Sequence, residues 1–398
     1  MSGGAAAAPQ RARGRTMDFR LTTEQEDLRR KTAEFARARL RYDLARSEAE
    51  GCFPREAWTA VGRQGLLGLP LPEALGGGGR DLVTTALAWE ALGAGCPDPG
   101  LCFALATHFA AGVVPIWKAG LPDQQHRWLP ALLDGTRIAA SAATEPEAGS
   151  DLFAMRTRAL RKGDGYELNG TKVYATNAPI ADLLLVYGVT AETEGKPSEI
   201  SLFVVERGTP GLHLEPLPGK SGLRTAPWSK IRFERCFVQG GNRIGEAGAG
   251  RAIFQTAIEW ERTLLYAPAL GAIERLLEST VAHARGRRQF GEPIGRFQSV
   301  SRRIVRMKLR LETGRLLLYR AAEALSLGGH ATVESAMAKL WVSEAWVKSS
   351  LDAVQILGAS GVFAEADAAR QLACAVPATI SSGTSEIQEL LIARWLGL

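Results

Sequence analysis

Residues 141–151 read SAATEPEAGSD. Thr144 and Ser150 place two hydroxyls either side of a turn at Pro146. Ala148 and Gly149 keep bulk away, so backbone N–H groups can approach a planar or anionic ligand. Taken alone, the segment is equally compatible with an ordinary loop. Two further stretches give it a context: NGTKVYATN at 169–177 and RRQFGEPIGRFQ at 287–298. In the first, strand alternation predicts Tyr174 and Thr176 on one face. In the second, Arg287 and Arg288, with Arg285 just before them, cluster ahead of Phe290 and Gly291. That cluster is a source of positive charge for an anion or, by itself, a solvated basic helix end.

Around these stretches the chain has a simple layout. From Thr22 to about Leu133 the pattern is helical. Two overlapping capping boxes open it, Thr22 with Gln25 and Thr23 with Glu26, and the sequence does not choose between them. The loop LPEALGGGG at 71–79 interrupts the helices, and DLVTTALAWEALG resumes them. From about Ile138 to Gly245 the runs YELNGTKVYAT, DLLLVYGV, EISLFVVE and SKIRFERCFV are β-rich, with turn residues expected between them, as at Asn169-Gly170. Helical periodicity returns from Ala247 to Leu398. The layout predicts an α+β protein with a 1–16 tail, a helical domain at 17–137, a small β domain at 138–245 and a helical domain at 246–398.

Composition narrows the class. The chain has 398 residues, 46% hydrophobic and 23% charged, ordinary for a globular protein with large cores. No uninterrupted apolar run reaches the roughly 20 residues that span a bilayer. The start, MSGGAAAAPQRARGR, lacks the apolar core of a secretory signal and reads as a disordered tail or an upstream start codon, so a cytoplasmic location is expected. Net charge is +6, and setting aside Arg11, Arg13 and Arg15 of the tail leaves about +3. That is little for nucleic-acid binding but would suit an acidic partner, a carrier protein or a coenzyme A phosphate. Cys52, Cys96, Cys102, Cys236 and Cys374 form no CxxC pair, so no metal site is expected, and they read as thiols in a reducing compartment.

The three stretches stand in the order and spacing found in acyl-CoA dehydrogenases, and the chain resembles that flavoprotein family from about Met17 to its C-terminus. The resemblance implies an N-terminal helical domain, a middle β-barrel or sandwich and a C-terminal four-helix bundle. It implies FAD as cofactor, with Thr144, Ser150, Tyr174 and Thr176 around the flavin ring. Tyr174 would stack on the ring where most relatives have Trp, and Thr176 would sit near N5. Arg287 would contact the diphosphate, with Phe290 and Gln298 beside the adenosine half. In the family these residues serve the flavin of a neighbouring subunit, so a homodimer or homotetramer is implied. QILGASG at 355–361 resembles the family's QxxGGxG loop, bringing Gln355, Gly358 and Ala359, the last replacing a glycine. ISSGTSEIQ at 380–388 brings Thr384 and Glu386 at a helix start, where Ser385 and Gln388 fit a capping box.

The implied reaction is α,β-desaturation of an acyl thioester, on coenzyme A or an acyl carrier protein, with an electron-transfer flavoprotein as the implied acceptor. Most relatives carry the catalytic base as a Glu immediately before the C-terminal Gly-Thr. Here that position is Ser382, and an unassisted hydroxyl is too weak a base. A minority of the family places the Glu on a helix at the start of the C-terminal domain, the position of Glu261. The residues support this independently. On a helix, Glu261 is flanked by Ala257, Ile258, Leu264 and Leu265, and a carboxylate on an apolar stripe is a functional candidate or a buried structural Glu paired with an Arg. Glu259 faces Gln255, Thr256, Arg262 and Thr263, as expected of a surface or ion-pair residue. Ser150, Arg262 and Ser382 complete the substrate-binding expectation, the backbone N–H of Ser382 polarising the thioester oxygen. LACAVP at 372–377 departs from the Arg-Asp pair common in the family. Two other activities remain open on the same fold: a flavin oxidase or monooxygenase, and a catalytically silent, FAD-containing nucleic-acid-binding protein.

Overall fold

A computed structural model describes residues 20–192 and 198–398; the expected tail at 1–16 lies outside them. The N-terminal helices are α1 (Thr23–Arg39), α2 (Leu44–Glu50), α3 (Arg55–Arg63), α4 (Leu82–Gly95), α5 (Pro99–Thr107), α6 (Val114–Ala119) and α7 (Pro122–Leu133). Their starts follow from local chemistry. Thr22, not Thr23, caps α1, accepting from the Gln25 N–H while Gln25 returns a bond to the Thr22 N–H. Asp81 caps α4 and Asp98 caps α5. Between α5 and α6 the helix widens into a π-turn at His108–Val113. Pro115 has no N–H to donate to the preceding turn, which accounts for the widening. The continuous helix Pro99–Ala119 is long and apolar enough to cross a membrane, but 94% of its apolar window is buried inside the protein, so here it forms the core.

Strands β1 (Ala139–Ala142), β2 (Arg158–Lys162), β3 (Gly165–Thr176), β4 (Leu183–Ala191), β5 (Glu199–Glu206), β6 (Leu212–Pro216), β7 (Trp228–Gln239) and β8 (Arg243–Ile244) form one sheet in the order β6-β7-β3-β2-β4-β5-β8, with β1 parallel to β4. The expected turn at Asn169-Gly170 is instead a bulge inside β3. Gly170 is needed there because its φ is +149° and a Cβ would meet Thr157 Oγ1 at 2.5 Å. The Asn169 side chain fills the gap in the ladder by accepting from the Arg235 N–H at 2.8 Å. The hairpin turn itself is at Gly163, φ +57°.

The C-terminal part comprises α8 (Gly250–Leu264), α9 (Ala267–Gly286), α10 (Gln298–Ser326), α11 (Thr332–Leu357), α12 (Asp367–Ala375) and α13 (Ser385–Trp395). Helices α9, α10 and α11 pack together, with α8 and α13 against α11 and α4 against α9. One contiguous apolar core runs through helices and sheet. In place of the Arg-Asp pair, Ala373 and Cys374 pack against the 222–223 turn. A Cβ on Gly222 would meet the Ala373 carbonyl at 2.0 Å, and the Leu223 N–H donates to Cys374 Sγ at 3.2 Å.

Candidate active site

Glu261 sits near the C-terminal end of α8, and its apolar stripe is real: Ala257, Ile258, Leu264 and Leu265 are all buried. Ser382 Oγ donates to Glu261 Oε1 at 2.6 Å. The two positions that the resemblance offers for a base therefore meet, one carrying a carboxylate and the other a hydroxyl that bonds it. Burial pushes the Glu261 carboxyl above its ordinary pKa, while the Ser382 bond and the Arg262 charge pull it back.

The loop bearing Ser382 is fastened from several sides. Arg262 Nε donates to the Ser382 carbonyl at 3.1 Å. Gln388, fully buried, donates to the carbonyls of Ser382, Gly383 and Thr384 at 3.2, 2.9 and 3.4 Å. Tyr266 Oη donates to those of Ala378 and Ser381, and the buried Lys339, its pKa lowered by burial to about 8, donates to that of Thr379. Ser382 itself has φ +59°, a strained backbone for a residue with a Cβ. No hydrogen bond among the described residues takes up its N–H. The Ser381 carbonyl, in the same peptide as that N–H, accepts from Tyr266, and the next carbonyl is doubly held, so the fixed loop can present the N–H to a substrate oxygen.

The capping of α13 differs from the expected Ser385–Gln388 box. Thr384 is the cap, accepting from the Ile387 N–H at 3.3 Å, while Ser385 donates to Glu344 and Gln388 is occupied with the loop. Glu259 is also a correction. It is buried, not a surface residue, and its carboxylate accepts from Gln255, Thr332 and the Ala331 N–H, with His330 at 3.6 Å. These partners anchor the start of α11.

The second half of the site lies on the sheet. The Val173 N–H donates to the Thr144 carbonyl at 2.9 Å, joining the 141–151 loop to β3. Beneath that junction lies an ion pair that the sequence reading missed. Lys172, wholly buried, meets Glu145 Oε1 at 2.8 Å, and Glu145 also accepts from the Arg156 and Thr157 N–H groups. Burial works to raise the Glu145 carboxyl, but Lys172 and the N–H donors prevail and hold it below its ordinary pKa. Burial lowers Lys172 to about 8. Lys172 stands in a strand that mixes polar and apolar residues, so nothing in the local sequence marked it as buried.

Tyr174 and Thr176 do not share a face by simple alternation. The β3–β7 ladder slips between Lys172 and Ala175, and Tyr174 adopts φ +58°. The bulge turns Tyr174 outward, 62% exposed, with Trp228 at a centroid distance of 6.4 Å, while Thr176 is buried. Ser150 is exposed, Thr144 is half-buried, and a Cβ on Gly149 would meet nothing within 4 Å. The buried Trp228 Nε1 has no hydrogen-bond partner among the described residues. An uncovered aromatic wall, open backbone, nearby hydroxyls and an unpaired donor together fit a flavin ring.

The remaining expected cofactor residues lie elsewhere on the surface. Arg287 and Phe290 belong to an exposed hairpin segment between α9 and α10, Phe290 being 94% exposed with φ +52°, and Gln298 is the exposed first residue of α10. Gln355, Gly358 and Ala359 are exposed at the end of α11. No extensive packing joins either group to β3. Glu386 is exposed in the first turn of α13, its carboxyl lowered by a bond with Thr384.

Comparison with known proteins identifies the family. Residues 22–136, 140–236 and 248–397 match the models of the acyl-CoA dehydrogenase N-terminal, middle and C-terminal domains. The chain is 42% identical to the L-prolyl-[peptidyl-carrier protein] dehydrogenase of Serratia sp. (strain ATCC 39006), over 96% of this chain and 99% of that one. It superposes on the crystal structure of the prolyl acyl carrier protein oxidase AnaB with a TM-score of 0.93 and 42% identity, covering 95% of this chain and 100% of the other. The FAD complex of PigA gives 0.92 and 42%, covering 96% and 100%.

Proposed function

The chain belongs to the acyl-CoA dehydrogenase family, and from that premise we propose that it desaturates a prolyl group carried as a thioester on a carrier protein, with Glu261 as the base. The broader activity is FAD-dependent dehydrogenation of an acyl thioester. When bound, FAD supplies the two-electron acceptor that takes the hydrogen leaving Cβ. Tyr174, Thr144, Ser150 and Thr176 would hold its ring. Arg287, Phe290, Gln298, Gln355, Gly358, Ala359, Thr384 and Glu386 would hold the remainder, partly in a neighbouring subunit of a homodimer or homotetramer.

The protein's own part is proton chemistry. An α C–H is a weak acid, so the carbonyl must be polarised as the proton leaves. The free N–H of Ser382 is the donor placed for that oxygen. Glu261 takes the α proton. Its raised pKa makes the carboxylate a stronger base than an exposed one, and the Ser382 hydroxyl holds it in one orientation. Arg262 keeps the loop in register through the Ser382 carbonyl. The observation that carries this reading is the 2.6 Å bond between Ser382 and Glu261.

A prolyl thioester would lose its α and β hydrogens to give the ring enamine thioester. The 42% identity to a prolyl-carrier-protein dehydrogenase over nearly all of both chains supports this substrate. An electron-transfer flavoprotein is the proposed acceptor, and a cytoplasmic location suits such partners. The test is anaerobic bleaching of the flavin by prolyl and unbranched acyl thioesters, on coenzyme A and on carrier protein, with Glu261→Gln in parallel. Bleaching by the prolyl thioester that Glu261→Gln abolishes supports the reading. Equal bleaching of the variant removes Glu261 as the base, and absence of bleaching by prolyl thioesters removes the substrate.

A further inference from the structure

Two long buried helical stretches each open to solvent at one residue. From Asp98 to Ile116 every residue is buried except Thr107, and from Ala257 to Ile273 every residue is buried except Glu261. The two openings lie at one level, because the helices run antiparallel. Cys102 and Phe103 share a small cavity with Leu265, Tyr266 and Ala269, while beyond α5, in the π-turn, the ring of Phe109 packs on Trp260 with centroids 6.2 Å apart. Thr107 lies one turn beyond Phe103 on the same face, and Glu261 one turn before Leu265 on its own face. Both single-residue openings therefore border the same cleft.

Thr107 also behaves unlike other helical threonines of this chain. Thr59, Thr85, Thr256, Thr263, Thr280 and Thr313 each donate to the carbonyl four residues back. Thr107 Oγ1 is buried and has no hydrogen-bond partner among the described residues. A buried hydroxyl with open bonding capacity is destabilising unless a ligand satisfies it. Phe103 and Leu265, one turn away along each helix, are apolar and buried.

We propose that Thr107 determines which acyl group is accepted, its hydroxyl oxygen taking a hydrogen bond from the ring N–H of a cyclic α-amino acyl thioester whose α carbon faces Glu261. This deepens the prolyl reading above and rests on it. A carbocycle of the same size fills the same space but leaves the hydroxyl unpaired. A site built to bond an N–H discriminates strongly against an analogue without one.

The test compares prolyl and cyclopentanecarbonyl thioesters of pantetheine as reductants of the flavin in the FAD-loaded enzyme, read as kcat/KM. The wild type should favour the prolyl thioester. Thr107→Val, which has nearly the same shape, should lower that preference by about 10-fold or more, and Thr107→Ser should restore most of it. Flavin content and melting temperature establish that the variants are folded. A preference unchanged in Thr107→Val overturns the role of Thr107 while leaving the substrate reading intact. A wild type that the prolyl thioester does not reduce overturns both.

Discussion

Ser382 donates its hydroxyl hydrogen to Glu261 across 2.6 Å, although 121 positions separate the two residues in the chain. A hydrogen bond to the charged form of a carboxylate favours ionisation, which opposes the effect of burial on Glu261.

Glu261→Gln keeps the shape of the side chain and removes the base. Flavin reduction by substrate should fall by about 10²- to 10⁴-fold, the range for a positioned general base. The flavin absorbance of the resting enzyme should be retained. Stopped-flow reduction under anaerobic conditions measures both.

Glu261 must be ionised to act, and its folded pKa lies above the ordinary Glu value. The acid limb of the rate profile should therefore lie above pH 4.5, with activity lost as pH falls through it. Ser382→Ala removes a bond to the charged form and should move this limb to higher pH. At alkaline pH, where Glu261 is ionised in both proteins, most of the rate should return. An acid limb that stays in place in Ser382→Ala contradicts the assignment. For stability the sign is the opposite: the fold favours neutral Glu261, so this group's contribution declines as pH rises from the unfolded to the folded pKa.

Lys172→Met leaves the buried Glu145 carboxylate without its counter-ion. Breaking a buried pair in this way costs about 3–5 kcal/mol. Because Glu145 also holds the backbone before β2 and the 141–151 loop, FAD retention should fall along with the melting temperature. Calorimetry with and without added FAD separates the two effects.

Tyr174→Ala removes the exposed aromatic wall, and Tyr174→Trp replaces it. Loss of an aromatic stacking contact worth about 0.5–1.5 kcal/mol should weaken FAD binding roughly 2- to 10-fold in the alanine variant. The tryptophan variant should bind at least as well as the wild type. Fluorescence titration of the apoprotein with FAD gives the constants.

Gln388→Leu withdraws the donor that spans three successive carbonyls of the 382–384 loop. Leaving buried acceptors unpaired costs about 1–3 kcal/mol. The flavin-reduction rate should fall further than stability alone accounts for, since the orientation of the Ser382 peptide depends on this donor. A variant with a lower melting temperature and an unchanged reduction rate would count against that orienting role.

Much of the architecture was legible because its causes are local. Thr22, Asp81 and Asp98 cap helices through bonds spanning two or three residues, and the order of helices, strands and helices follows from periodicity alone. Glu261 could be singled out because a helix brings i±3 and i±4 together, so four apolar neighbours on a stripe imply burial. Other features were misread for equally physical reasons. Asn169-Gly170 has the composition of a turn but forms a bulge, because β7 pairs across it. The alternation expected of Tyr174 and Thr176 fails where the ladder slips. Ser385 and Gln388 have capping-box spacing, but Gln388 is drawn to the loop carbonyls and Thr384 takes the cap.

The sequence by itself determined the order of helices, strands and helices, the apolar stripe under Glu261 and the family to which the motifs belong. Only the tertiary structure decided that Ser382 bonds Glu261, that Lys172 and Glu145 pair beneath the 141–151 loop and that the Thr107 hydroxyl is left unpaired. Short-range capping and periodicity act between residues a turn apart and can be read along the chain. A bond between residues 121 positions apart exists only once helices and sheet have packed.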